Sequence, residues 1–491
     1  IIFYYMNWQR IKKQDWAITA ICGLLMILGL LVIFSTTYNS TSTEGSFEKQ
    51  LVFIIVGFIL YFVILSIDFS WFSNPSVVRI IYIIMLLLLI YVKFFGKTIA
   101  NTNRWIDIGF FSLQPSEFAK IVIILVTAAM FANPEAMPYL QSLKQLKDKG
   151  KSSLIKNIYG VSNKLKIDRY QLAYLKLLGK NSIAVIPLIL LTLIQPSLGN
   201  AIISLFVWLI TILILFPNQK KLFRLLLFAA TTLIIFFQIF SVERVNSDLL
   251  IVINTDINWL IVIAIAMAMG IMAYYTKVKF LHLMFIATLS IFALGGIIAS
   301  WNYVITPYQK TRIDTFVAGP ESDPTGTGYQ VIQSKIAIGS GMLMGRGFLE
   351  GPQSSLNVLT QASTDFVFAA FAEQFGFFGT VIVLGLYAIL ISRVISAGVV
   401  AAGNFAKFVA LGVAILLLLH VFINIGMNLG KLPVTGITLP LMSYGGSSVS
   451  MIMISLGLVQ SINTSRKSVD IADNLMLISQ GLLVKENNKN G

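Results

Sequence analysis

The sequence predicts an all-α fold: a polytopic helical membrane protein with about twelve transmembrane helices and both termini in the cytoplasm. Three observations carry that expectation. Of the 491 residues, 57% are hydrophobic and 12% are charged, where a soluble chain carries about 25% charged residues. Apolar runs of about 18–25 residues recur along the chain, each long enough to cross a ~30 Å hydrocarbon core. Lys and Arg gather at alternate turns between these runs, as they do in cytoplasmic loops.

The net charge of +15 follows from that orientation signal. It makes membrane lipids, and not nucleic acid, the expected partners of the basic loops. Cys22 is the single cysteine, so no intramolecular disulfide is expected. His282 and His420 lie in separate apolar runs, and no metal site is expected from them. The first run has spanning length and no small-residue cleavage site, so it reads as a retained helix.

Spans are predicted at about 16–36, 50–67, 77–95, 115–131, 183–194, 201–216, 225–240, 260–275, 281–304, 366–391, 408–425 and from 439 onward. Arg10, Lys12 and Lys13 ahead of the first span place the N-terminus inside. Pro115 suits the first turn of a helix, where its missing N–H costs nothing. Gln195-Pro196-Ser197-Leu198-Gly199-Asn200 between two apolar runs reads as a tight outer turn. The span after Asp365 is interrupted early by Glu373, Gly376 and Gly379. Residues 1–465 form one membrane domain, and 466–491 a cytoplasmic tail. Two inserts stand out: a basic cytoplasmic one at 133–181 and a large extracytoplasmic loop at 305–364. The segment Asn133–Lys180 holds nine Lys, one Arg and three acidic residues, and 154–178 within it is a candidate surface helix.

Sorting the unusual residues by side of the membrane gathers them at the outer face. Arg104, Trp105, Asp107, Glu117 and Lys120 lie in or next to one outer loop. Lys310, Arg312, Lys335, Arg346 and Asp365 lie in the other. Ser443-Tyr444-Gly445-Gly446-Ser447-Ser448 falls near both. Cations suit a phosphate-bearing ligand, and a carboxylate among them suits proton abstraction. Each residue also has a structural reading. Glu117 and Lys120, three apart on one helical face, would form an intramembrane ion pair. Trp105 would be an interfacial anchor, the Ser-Gly run a small-residue packing seam, and Asp365 a helix cap. On these grounds alone, an enzyme and a transporter for a phosphorylated lipid ligand stand level.

Five blocks, in order, resemble the SEDS family (shape, elongation, division and sporulation), whose branches are RodA and FtsW. They are Asn103-Arg104-Trp105-Ile106 with Gln114–Lys120, Gly328–Gln330 with Gln333–Gly341, Thr364-Asp365-Phe366, Leu432–Ile437 and Leu439–Ser448. The second and fourth stand closer to the RodA branch. The resemblance implies a peptidoglycan glycosyltransferase. It would polymerise lipid II, the undecaprenyl-pyrophosphate-linked disaccharide pentapeptide, on the outer face of the bacterial cytoplasmic membrane for cell elongation and rod shape. It also implies a class B penicillin-binding protein as partner. Asp365 matches the family's loop aspartate, the general base. Trp105, Glu117 and Lys120 match cavity positions. Arg104, Lys120, Lys335, Arg312 and Ser447 complete the expected substrate-binding set. No cofactor is expected beyond a divalent cation that the pyrophosphate chemistry would admit.

The chain departs from the family at several points. It has twelve predicted spans where ten are usual, the added pair falling within 225–275. Ser197 and Asn200 replace the family's Asp and Thr, Thr360-Gln361 replaces Pro-Glu, and Gln374 replaces the second of two Glu. Two other readings stand beside the polymerase: a lipid II flippase, and a scaffold that only activates the penicillin-binding protein. A flippase needs charges through the whole membrane depth. Here they concentrate in the outer half, which favours the polymerase.

Overall fold

The computed structural model describes residues 8–38, 45–99, 102–107, 109, 112–132, 169–215, 307–356 and 358–465. The chain divides into two compact units, Ile1–Leu215 with Thr311–Gly491, and Phe216–Lys310. Only residues 307–310 of the second unit are described. The predicted spans 225–240, 260–275 and 281–304, the tail and most of the basic insert therefore lie outside the described residues.

Among the described residues, the first unit is a bundle of nine long helices. They are α1 Trp16–Thr37, α2 Ser46–Ser66, α3 Pro75–Phe95, α4 Pro115–Ala132, α5 Arg169–Ile194, α6 Leu198–Leu215, α7 Val367–Val399, α8 Asn404–Asn428 and α9 at 446–465. Eight helices of the described chain are long and apolar enough to cross a membrane. Their starts follow local chemistry. The Asp15 carboxylate accepts from Ala17 N at 3.0 Å to cap α1. Asn74 accepts from Ser76 N at 2.9 Å ahead of Pro75, the first residue of α3.

Burial sorts the helices into rim and centre. Within α3 only Val78, Met85, Leu89 and Val92 are buried, one stripe at helical spacing. Its other faces expose Ile83 and Leu87 by 52% and 59%, which in water would be costly and in lipid is not. The central α9 is buried along nearly its whole length. It approaches α2 closely because small residues lie at the contact. A methyl on Gly57 would meet Val449 at 3.1 Å and Met453 at 3.2 Å, and one on Gly457 would meet Tyr61 O at 2.9 Å.

A polar latch closes one end of the bundle. Gln460 of α9 exchanges hydrogen bonds with the Asp15 main chain at 3.0 and 2.7 Å and donates to the Tyr61 hydroxyl at 2.9 Å. Arg10 pairs with Asp68 and donates to Ile67 O at 3.1 Å. The basic N-terminal segment is thereby fixed at the end away from the Trp105 loop.

Four features differ from the sequence expectation or sharpen it. Residues 97–113, read as an outer loop in an all-α protein, contain a small antiparallel sheet, β1 Lys97–Ile99, β2 Thr102–Asp107 and β3 Ser112–Leu113, in the order β1-β2-β3. The β-branched and aromatic residues Thr98, Ile99, Thr102, Trp105 and Ile106 favour strands here, a signal too short to rival the apolar runs. Helix α5 starts at Arg169, inside the segment assigned to the basic insert, because Leu, Ala, Gln and Lys there are strong helix formers whatever their polarity. The last helix starts at 446, not near 439. Leu441 and Gly445 have φ of 68° and 157°, which a helix does not admit.

The fourth feature is the interruption in α7. Gly376 has φ 65° and ψ −164° and breaks the helix, as the early Gly and Glu predict. The backbone groups freed there are taken by the loop after residue 340. Arg346 N donates to Glu373 O at 2.9 Å and Gly347 N to Gln374 O at 3.1 Å. In return Phe377 N donates to Met342 O at 2.9 Å and Phe378 N to Leu343 O at 3.2 Å. A side chain at 376 would meet Leu343 O at 2.7 Å and would have to hold a glycine-favouring φ. Gly376→Ala is expected to destabilise the protein by about 2–3 kcal/mol, read as a lower unfolding midpoint in detergent. An unchanged midpoint would show that the break tolerates a side chain.

Candidate functional site

Three elements converge at the end of the bundle opposite the latch. The large loop supplies the Pro307–Ala318 helix with Arg312, and the turn at 363–366 that leads into α7. The small sheet supplies Arg104 on β2. The segment between α8 and α9 supplies Val434 and Gly436. Arg312 donates from Nη1 to Val434 O at 3.2 Å. Gly436, at φ 70°, faces the point where Arg312 and Asp365 meet. A methyl there would lie 3.2 Å from Arg312 Nη1 and 3.4 Å from Asp365 Oδ2. The backbone conformation favours glycine, and a methyl would press on the Arg312 guanidinium.

Asp365 is half-buried. Burial pushes its carboxyl above the usual carboxylate range, while Arg312, then Arg104, then the Thr364 hydroxyl pull it back. A carboxylate raised by burial yet held ionisable by two guanidinium groups has the character of a general base. Two arginines beside it also suit an anionic ligand.

The other predicted residues fall into different places. Trp105 follows Arg104 on β2, so strand alternation sends the two to opposite faces. Trp105 pairs with Lys97 across β1 and β2, and α3 and α4 pack on β2. Ser447 accepts from Gln114 N at 2.9 Å and donates to Ser112 O at 3.2 Å. It ties α9 to the sheet and to the start of α4. Lys335 lies exposed on the Thr327–Ser340 helix, its chain over Gly430.

Glu117 and Lys120 form the ion pair their spacing predicts, 2.7 Å apart within α4. Lys120 is fully buried. Its Nζ also donates to Asn200 Oδ1 at 2.9 Å and to His420 Nε2 at 3.0 Å. His420 Nδ1 lies 3.3 Å from Thr438 O. A carbonyl only accepts, so the proton belongs on Nδ1 and Nε2 is left to accept from the lysine. An ammonium has three donors, and each has a partner inside the protein. A ligand phosphate would reach Lys120 only by displacing one of them. Asn200 continues the network to Ser116 and Ser197, both at 3.2 Å, and Gln114 donates to Ser197 at 3.2 Å. Asn200 is therefore a neutral partner of the buried pair, and Ser197 stands one hydrogen bond further out.

Sequence reasoning gave no site role to His420, Asn200, Gly436, Asn424 or Asn428. A signal existed for three of them. His420, Asn424 and Asn428 recur every fourth residue in an otherwise apolar span, one polar stripe on one face. Glu373 is also buried, and its carboxylate accepts from Gln353 N and Ser354 N, both at 2.9 Å. It caps the short Pro352–Ser355 helix.

The fold and site define a multi-pass membrane protein with an aspartate and two arginines gathered at one end of its bundle. Comparison with known proteins agrees with the membrane fold. The FtsW, RodA and SpoVE family model, described as cell cycle protein, matches residues 15–249 and 245–468. The chain is 31% identical to the peptidoglycan glycosyltransferase RodA of Treponema pallidum, covering 93% of this chain and 99% of that relative. It is 30% identical to the peptidoglycan glycosyltransferase MrdB of Escherichia coli K12, covering 90% and 93%. The stage V sporulation protein E of Bacillus subtilis is 26% identical, covering 93% and 98%. A chain of a solved peptidoglycan synthase complex superposes with a TM-score of 0.55 at 23% identity, covering 92% and 98%, a likeness of fold. The chain belongs to the FtsW/RodA/SpoVE family and stands nearer its RodA members.

Lys120→Met alone strands the Glu117 carboxylate and is expected to cost about 3–5 kcal/mol of stability. The double variant Lys120→Met with Glu117→Leu should recover much of that loss. Unfolding midpoints of the three proteins check this, and a double variant no more stable than the single one would contradict it.

Proposed function

We propose that the chain is a peptidoglycan glycosyltransferase that polymerises lipid II on the outer face of the cytoplasmic membrane, in cell elongation and rod shape. The observation that carries this is the meeting of Asp365 with Arg312 and Arg104 at the end of the bundle opposite the basic N-terminus. The names of the relatives support the activity.

The ionised Asp365 takes the proton of the acceptor GlcNAc 4-hydroxyl. The oxygen then bonds to C1 of the donor MurNAc as the bond from C1 to the pyrophosphate oxygen breaks. Undecaprenyl pyrophosphate leaves with the electron pair, its charge met by Arg312 and Arg104. Lys335, exposed over Gly430, and Trp105, beside Arg104 on β2, are left to meet the substrate's outer parts. Glu117, Lys120 and Ser447 hold the frame. Among the described residues no three His, Cys, Asp or Glu cluster to hold a metal. A class B penicillin-binding protein would crosslink the strand, a partnership that fits the synthase complex whose chain shares this fold.

Polymerisation from purified lipid II, with and without the penicillin-binding protein, tests the reading. Asp365→Ala should lose at least about 100-fold in rate, and normal polymerisation by that variant would rule out Asp365 as base. Should neither protein polymerise while labelled lipid II crosses vesicles, the transport reading takes its place. A pH profile tests the electrostatics. Arg312 is the largest influence lowering the Asp365 pKa, so Arg312→Met lets that pKa rise. Only the ionised form accepts a proton, so the acidic limb of kcat should move to higher pH. A limb that stays, or moves lower, would contradict the placement of Arg312 beside the base.

A further inference from the structure

We infer that Asn424 and Asn428 are positioning residues for this reaction: their side-chain amides converge on the main-chain carbonyl of Asp365 and set where its carboxylate stands. The inference rests on the reading of Asp365 as the base.

Asp365 lies in a turn, one residue short of the helix that follows. Helical hydrogen bonding therefore does not fix it, and its neighbours do so instead. Asn424 Nδ2 and Asn428 Nδ2 each donate to Asp365 O at 3.0 Å, which fills both lone pairs of that carbonyl. The two preceding carbonyls are held as well. Thr364 O accepts from Ser443 Oγ at 2.6 Å and Ser363 O from Tyr444 N at 2.8 Å. Three consecutive peptide groups are thus pinned by partners from other elements, which leaves the aspartate little freedom to swing.

The two asparagines also set what faces the carboxylate. Asn424 donates to Ile437 O at 2.7 Å, one residue beyond Gly436. The same amide thus fixes the base and the loop that frames it with Arg312. Asn428 accepts from Ala369 N at 3.1 Å and donates to Asn424 O at 2.8 Å, locking the first turn of α7 to α8. Both are completely buried, where an amide without partners would be costly. One turn further along the same face, His420 holds Lys120. The stripe therefore links the buried ion pair to the base through one rigid helix.

The test is steady-state polymerisation by the purified full chain in detergent, comparing wild type with Asn424→Ala, Asn428→Ala, Asn428→Gln and Asp365→Ala. The alanine variants should lose about 10- to 100-fold in kcat with KM within about twofold of wild type. The acidic limb of their pH profiles should shift, because the carboxylate moves relative to its arginines. Asn428→Gln, which keeps an amide donor, should recover part of kcat. Two results would overturn the inference while Asp365→Ala stays inactive. One is kcat within about twofold of wild type in both alanine variants. The other is a loss that follows the folded fraction, with an unmoved pH limb. Where an alanine variant fails to fold, Asn428→Gln decides: a wild-type limb and rate overturn the clamp, a shifted limb with reduced kcat supports it. An active Asp365→Ala would sink the base assignment and the clamp with it.

Discussion

The site depends on polar groups being satisfied inside the bundle, where no bulk water can serve them. Helix α8 answers that constraint with one stripe. His420 accepts from Lys120, while Asn424 and Asn428 hold the Asp365 carbonyl. An unpartnered amide at that depth would cost several kcal/mol, so the stripe dictates where the neighbouring elements go. The large loop must return to α8 for its carbonyl to be met, and α4 must present its lysine to the histidine. The geometry of the base follows from these demands.

The backbone exchange at Gly376 obeys the same rule. Breaking α7 frees donors and acceptors on both sides of the glycine, and the loop at 342–347 pairs with them. That pairing anchors the middle of the large loop to α7, and Asn428 anchors its end at Asp365. The segment carrying Asp365 is therefore tied down on both sides, although it contains little regular structure of its own.

Much of the architecture was legible in the chain because lipid makes hydropathy a strong signal. The runs around Trp16, Pro75, Pro115 and Asn404 became helices near their expected bounds. The early interruption of α7 was visible in its glycines. Asp365 stood out as an expensive carboxylate at a boundary, and Glu117 with Lys120 as a helical pair. Less legible were the sheet at 97–113, whose strands are two to six residues long, and the extension of α5 toward Arg169. Hydropathy detects what lies in the hydrocarbon, and these segments extend beyond it.

The sequence by itself determined the membrane class, the order of the described spans and the residue types available for chemistry, because these follow from local composition and spacing. Tertiary structure alone decided which polar and charged groups from distant segments meet. It turned Lys120 inward to three partners and brought Arg104 and Arg312 to Asp365 from segments some 260 and 50 residues away. It also gave the Asp365 carbonyl to Asn424 and Asn428. Hydrogen bonds and ion pairs act over a few ångströms, and only the packed bundle sets which side chains come that close.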